Sequence, residues 1–191
     1  MIQEITPKKL NLGCGHDIRV GWVNLDSAAI TGVDVVHDIE KLPLPFKDGE
    51  FDEILCNDVL EHVEYIPILR DLHRILKPGG KLTIRVPHFT SRNTYSDPTH
   101  KKAFGIRTME FFVRDSELNK GKHREYYFDF HFSKLASVKI TFEKNVFLIK
   151  YINHHIIEPL INSSQSMRHF FEQTGFSRMF PAENIIFELV K

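Results

Sequence analysis

The stretch KLNLGCGHDIRVGWVNLD, residues 9–26, decides the fold. An apolar run at 8–12 leads into Gly13-Cys14-Gly15, and a second run at 21–25 ends on an acid, Asp26. Glycines at 13 and 15 let the backbone approach a ligand without Cβ interference. A carboxylate at 26 can accept both hydroxyl protons of a ribose. A dinucleotide fingerprint places its ribose acid about 20 residues past the glycines, whereas Asp26 follows Gly15 by eleven. A pyrophosphate needs the N-terminus of a helix after the glycine turn, and the link at 13–21 is too short to hold a long one. The spacing disfavours a dinucleotide and suits a ligand without phosphates.

Working outward, further β-prone runs lie at 33–37, 51–56 and 81–86, which predicts one sheet. Between the last two, Ile68, Leu69, Leu72, Ile75 and Leu76 recur at three- and four-residue steps, opposite Arg70, Asp71, His73 and Arg74. That is an amphipathic helix. Pro67 is tolerated in its first turn, and Lys77-Pro78-Gly79-Gly80 is expected to stop it. A strand, helix, strand unit implies a right-handed parallel crossover, so the fold class is α/β. Downstream, Phe128, Phe130 and Phe132 alternate, as do Val138, Ile140 and Phe142, predicting a hairpin over 124–143. Ile156, Leu160, Met167, Phe170 and Phe171 fit one or two helices broken near Pro159, and NIIFELV reads as a final strand.

With 191 residues, 42% of them hydrophobic, the chain reads as a single domain over 1–191. Its cofactor half would lie at about 1–90 and its substrate half at about 91–191. The 25 basic and 25 acidic residues cancel, giving no overall drive toward nucleic acid. Residues 92–144 are basic, with 11 Lys and Arg against 7 Asp and Glu, which leaves room for an anionic substrate beside the plainer reading of a solvated face. The N-terminus lacks a secretory pattern, no apolar run approaches the roughly 18 residues of a membrane span, and Cys14 and Cys56 make no disulfide framework. The expectation is a cytoplasmic protein.

In an open parallel sheet, ligands bind beyond the carboxyl ends of the strands where strand order reverses. That rule selects Gly13 to Asp17, Asp26, Asp38, Asn57 with Asp58, and Pro87 onward. The residues in this order resemble the class I S-adenosylmethionine-dependent methyltransferases, of a small type-11-like kind. LNLGCG is similar to their first motif. DIEKLPLPFKDGEFDEILCNDVLEHV resembles their third-strand acid and the VLEH segment, and LHRILKPGGKLTIRVP their LKPGG helix and strand, together covering residues 9–87. The resemblance implies a seven-stranded, mostly parallel Rossmann-like sheet with its last strand antiparallel. S-adenosyl-L-methionine would be the cofactor. Gly13, Cys14 and Gly15 would pass under its methionine portion and ribose, and Asp26 would take the ribose hydroxyls. Asp38 would face the adenine amino group with Ile39 on the ring. Asn57 would meet the ammonium group, Val59 and Leu60 would lie along the cofactor, and His62 would serve at the helix entry. Cys14 and Cys56 read as small buried residues. One departure stands out: the first crossover is trimmed. A thinly covered sheet face beside the first three strands would need the C-terminal helices or a second subunit, as in a homodimer.

Methyl transfer from a sulfonium is an in-line displacement that depends mainly on positioning; a hydroxyl or protonated amine acceptor also needs a base. The loop PHFTSRNTYSDPTHKKAF, 87–104, follows the fifth strand and offers His88 and His100 as catalytic candidates, with Phe89, Tyr95 and Phe104 as pocket walls. A zinc or iron site from His88, Asp97 and His100 is the lesser reading, and no metal is expected. The function expected is methyl transfer to a small acceptor that the sequence does not identify, with an anionic one left open. A cofactor-binding regulatory or scaffold protein and a nicotinamide oxidoreductase are the competing readings, the latter disfavoured by the absent GxGxxG.

Overall fold

The computed structural model describes residues 6–116, 118–119, 125–143 and 147–191. Its strands are β1 (Lys9–Leu12), β2 (Val23–Asp26), β3 (Val35–Val36), β4 (Phe51–Asn57), β5 (Leu76–Pro87), β6 (Lys134–Thr141) and β7 (Asn184–Val190). They form one seven-stranded sheet in the order β3-β2-β1-β4-β5-β7-β6. The first five pair in parallel, and β7 runs antiparallel between β5 and β6. The α/β class and the antiparallel last strand match the expectation. Strand order reverses between β1 and β4, which puts the ligand-binding crevice at their carboxyl ends.

One face of the sheet is apolar. The register lines up Leu10 with Val23 and Ile54, Leu12 with Leu25 and Cys56, and Ile84 with Cys56 and Phe187. Helix α1 (Tyr65–Ile75) covers this face with Ile68, Leu69, Leu72 and Ile75, each at most 1% exposed. Burying each such side chain contributes about 1.5–3 kcal/mol. The helix stops one residue earlier than the spacing suggested: Leu76 is already extended, and Lys77–Gly80 belong to the irregular first half of β5.

The opposite face is polar. Its positions are Asn11, Asn24 and Asp26, then Glu53, Leu55 and Asn57, then Lys81, Thr83 and Arg85. Ion pairs cross it, Lys9 to Glu53 at 2.8 Å and Lys81 to Glu188 at 3.0 Å. No helix occurs among residues 13–22, 27–34 or 37–50. The thin cover expected beside the first three strands is present, yet the apolar face that called for C-terminal helices or a second subunit is not. In its place, Asn11 and Asn24, both nearly inaccessible, bind the folded-back segment 16–22. Asn11 donates to the Asp17 carbonyl at 2.6 Å and to Asn24 Oδ1 at 3.2 Å. Asn24 accepts from the Arg19 N–H at 2.9 Å and donates to the carbonyls of Arg19 and Trp22 and to Asp34. An amide pair thus replaces a helix.

The hairpin expected over 124–143 is not formed; residue 124 lies outside the described residues. Only Lys134–Thr141 is a strand, and it pairs with β7 instead of with its own upstream neighbour. Phe130 and Phe132 turn inward against Phe112 and His73, so the alternation reports burial in an irregular segment. After α2 (Arg92–Ser96), the C-terminal helices are α3 (Phe147–Ile152), α4 (Glu158–Ile161), α5 (Gln165–Gln173) and α6 (Phe176–Met179). A wide π turn, Asn153–Ile157, joins α3 to α4 and ends two residues before Pro159. Proline lacks the N–H that a regular turn would use, and the widened turn carries the helix past it. The break falls instead at Asn162, whose side-chain amide pairs with both backbone groups of Ile140, at 2.9 and 2.7 Å, and covers the free edge of β6.

Candidate cofactor and acceptor site

The crevice is built from the ends of β1, β2 and β4. Gly13 has φ +64°, and a Cβ there would lie 2.4 Å from Val59 Cγ2, so the glycine turn and the turn after β4 interlock only without a side chain at 13. The Cys14 N–H continues the ladder to Leu25 O at 3.0 Å. Gly15, at φ +49°, has no atom near its Cβ position and faces open space. Its N–H donates to Asp26 Oδ2 at 2.8 Å, and the Ala28 N–H donates to Oδ1 at 2.9 Å. The Asp26 carboxylate is therefore held by two backbone donors with acceptor sites to spare. Burial, aided by the Asp26 charge, pushes the Cys14 thiol up, and burial does the same to Cys56. Both stay protonated near neutrality, as small buried residues.

The other residues expected beside a cofactor flank this turn. The His37 N–H donates to Asp26 O at 2.9 Å, placing Asp38 and Ile39 next to the end of β2. Asp38 Oδ1 accepts from the Glu40 N–H at 3.1 Å, and Ile39 packs on the core. Asn57 ends β4, on the sheet face shared with Arg85. Asp58 adopts φ 54° and holds Arg85 in a two-point ion pair, with Arg85 Nε 3.0 Å from Oδ1. Val59 and Leu60 are buried beside it.

A cleft of about 720 Å³ opens beyond the ends of β4 and β5, walled by Asp58, Glu61, His62, Arg85, Asp97 and His100 among others. A second lobe of about 620 Å³ adjoins it through Asn93 and Glu183, and is lined by Tyr95, Ile152, Met179 and Phe180. Glu61 is 1% exposed, and neither carboxylate oxygen has a hydrogen-bond partner among the described residues. Burial pushes its pKa up to about 7.

The two histidines proposed from the sequence part company. His100 lines the cleft, its Nδ1 buried without a partner among the described residues. His88 is 0% exposed, with Nδ1 2.8 Å from Thr90 Oγ1 and Nε2 3.2 Å from Glu172 Oε1. The Thr90 N–H also donates to Nδ1, so Nε2 carries the proton shared with Glu172. This arrangement ties the loop to α5 and leaves no nitrogen for a substrate. The lesser metal reading fails with it, since His88 does not join Asp97 and His100; the residues that converge with His100 are Glu61 and His62. Nothing in the VLEH sequence marks Glu61, because its burial depends on the loop 99–102 folding over it. Phe104 is fully buried and is core, whereas Tyr95 borders the second lobe.

Among the described residues, no Lys or Arg of 92–144 lines the cleft beyond β4 and β5, while Arg92 lines the second lobe. Arg92 pairs with Glu143, Lys101 with Glu40, Lys102 with Glu64 and Arg107 with Glu110. Among the described residues the cleft wall carries Asp58, Glu61, Asp97 and Glu183 against Arg85, which suits a cation or a neutral group better than an anion.

Residues 10–84 match the family described as methyltransferase domain. The match runs from β1 into β5 and takes in the glycine turn and α1. A demethylmenaquinone methyltransferase of Listeria welshimeri is 33% identical over 86 residues, 43% of this chain and 36% of that protein. An uncharacterised protein of Methanocaldococcus jannaschii is 56% identical over 45 residues, 24% of this chain and 20% of that one. The chain thus spans well under half the length of these curated relatives. An S-adenosylmethionine-dependent methyltransferase structure from Archaeoglobus fulgidus superimposes with a TM-score of 0.57 at 20% identity, covering 97% of this chain and 86% of that one. That likeness is one of fold. The matched segment holds Asp26, Asp38, Asn57 and Glu61, and ends before the loop that carries His100.

Proposed function

We propose that the chain binds S-adenosyl-L-methionine at the glycine turn and transfers its methyl group to a small molecule held in the adjoining cleft. The observation that carries this reading is the Gly15–Asp26 arrangement: a glycine facing open space beside a carboxylate oriented by two backbone N–H groups, at the point of strand reversal. Such a carboxylate has the free acceptor sites to hold two ribose hydroxyls. Asp38 and Ile39 serve the adenine, Asn57 the ammonium group, and Val59 and Leu60 the cofactor's edge. Gly13 and Cys14 set the turn.

The acceptor enters from the side of Glu61 and His100, and a proton released by a hydroxyl or amine acceptor leaves there; of the two histidines, His100 takes the acceptor-side role. Tyr95, Ile152, Met179 and Phe180 favour an acceptor with an apolar portion. Among the described residues no helix is long and apolar enough to cross a membrane. Incubation with methyl-labelled S-adenosylmethionine and fractionated small-molecule extracts tests the activity. A labelled product that disappears in Asp26→Ala supports it; cofactor binding with no product from any fraction would leave a binding protein of the same fold.

A further inference from the structure

The geometry points to a divalent transition-metal site in the acceptor cleft, made by Glu61, His62 and His100. Each offers one ligand atom, and the three atoms lie within 4.8 Å of one another. Two imidazoles and a carboxylate are a common donor set for zinc and for ferrous iron, with further positions left open. Both Glu61 oxygens and His100 Nδ1 are buried and have no hydrogen-bond partner among the described residues. Buried polar atoms without partners are costly, and a cation at this point would satisfy all of them at once.

The surroundings orient the donors as metal ligands usually are. The Thr99 hydroxyl donates to Asp97 Oδ1 at 2.6 Å, so its oxygen accepts from His62 Nδ1, 2.8 Å away. That fixes the proton on Nδ1 and leaves Nε2 as the lone-pair nitrogen of His62. Asp97 Oδ2 stands 3.8 Å from His100 Nε2, which favours the proton there and the lone pair on Nδ1. The backbone N–H groups of Lys101 and Lys102 donate to the Glu61 carbonyl at 2.7 and 3.3 Å, clasping the loop onto the turn that carries Glu61 and His62. The lysine side chains themselves point to Glu40 and Glu64, so neither cation competes at the cluster.

The ion would complete its coordination with an oxygen of the acceptor. Holding that oxygen as its anion, with the proton released to solvent, it would present the nucleophile to the methyl carbon. The new O–C bond then forms as the S–C bond breaks, and the electron pair of that bond stays on sulfur, turning the sulfonium into a neutral thioether. This role rests on the methyltransferase reading; the binding of the metal does not.

The test uses the full chain without a polyhistidine tag, stripped with chelator and titrated with Zn²⁺ against a chromophoric competitor, then with Co²⁺ by absorption. One equivalent is expected to bind. Glu61→Gln, which keeps the side-chain volume, and His100→Ala should abolish that equivalent. Thr99→Val should weaken it about tenfold or more through the loosened His62, and His154→Ala, an exposed histidine outside the cluster, should leave it intact. Absence of saturable one-to-one binding, or binding equally tight in Glu61→Gln and His100→Ala, overturns the site. Should His100→Ala fail to fold, Glu61→Gln decides alone. S-adenosylhomocysteine titrated into the same samples separates the two readings: metal bound without the thioether counts against the methyltransferase reading, and the thioether bound without metal counts against the metal site.

Discussion

His88 and His100 lie twelve positions apart in one loop, and their environments give them different work. His88 has both nitrogens engaged, one by Thr90 and one by Glu172, in a fully buried position. Its replacement by Asn should cost roughly 1–3 kcal/mol of unfolding free energy, as expected for stranding buried partners, while leaving S-adenosylhomocysteine affinity unchanged. Urea unfolding and calorimetry on the same preparation measure both; intact stability with lost turnover would instead return His88 to the chemistry. Both residues look alike in sequence because each is a histidine with Pro and Thr within two positions in one polar loop. Only the approach of Glu172, 84 positions away, distinguishes them. Glu61 was illegible for the same reason, since the loop that buries it comes from 38 to 41 residues downstream.

The strands and α1 were legible because their periods match their burial: apolar residues at three- and four-residue steps on the helix, and short β-prone runs ending in turns. The trimmed crossover was legible as a length, but its consequence was not, because the sequence does not say which way Asn11 and Asn24 point. Strand register places both on the polar face. Asn24→Leu would restore an apolar position of the usual kind but strand the Arg19 N–H, so it should destabilise the fold by about 2 kcal/mol or more and loosen segment 16–22. Faster amide hydrogen exchange at 16–22, with the α1 amides protected as before, is the expected pattern; unchanged exchange would remove the amide pair as the anchor. The Phe128–Phe132 alternation misled because period-two burial also arises where an irregular segment lies over a helix.

Helix α1 also carries a pH dependence. His73 is packed against Phe130 and Phe132, and its Nε2 lies 3.1 Å from the His131 carbonyl. Burial, with help from the Lys191 charge, holds its pKa below the ordinary value of 6.5. The unfolded chain then binds the proton more tightly than the fold, so this contribution to stability is present above 6.5 and is lost as pH falls through the lower folded value. Between about pH 7.5 and about pH 5, bracketing the histidine range, the urea midpoint of the wild type should fall further than that of His73→Gln. Parallel midpoints would show that His73 titrates alike in both states.

At the scale of the whole molecule, a seven-stranded sheet is covered by helix on one face and laced with ion pairs on the other, and the ligand crevice lies where strand order reverses. Removing the first crossover helices leaves this crevice intact, because its parts are strand ends and a glycine turn held by Asp26, Val59 and Leu25. The proposed cofactor side was readable from contiguous motifs in residues 9–87, whereas the proposed acceptor side is assembled from loops and C-terminal helices whose residues share no local pattern. The central claim is that the glycine turn and Asp26 bind an adenosyl thioether. Calorimetric titration of S-adenosylhomocysteine tests it most directly: saturable one-to-one binding is expected, weakened about tenfold or more in Asp26→Ala by the loss of charge-assisted hydrogen bonds to the ribose. No binding by the folded wild-type protein, or equal affinity in the folded variant, would contradict the account.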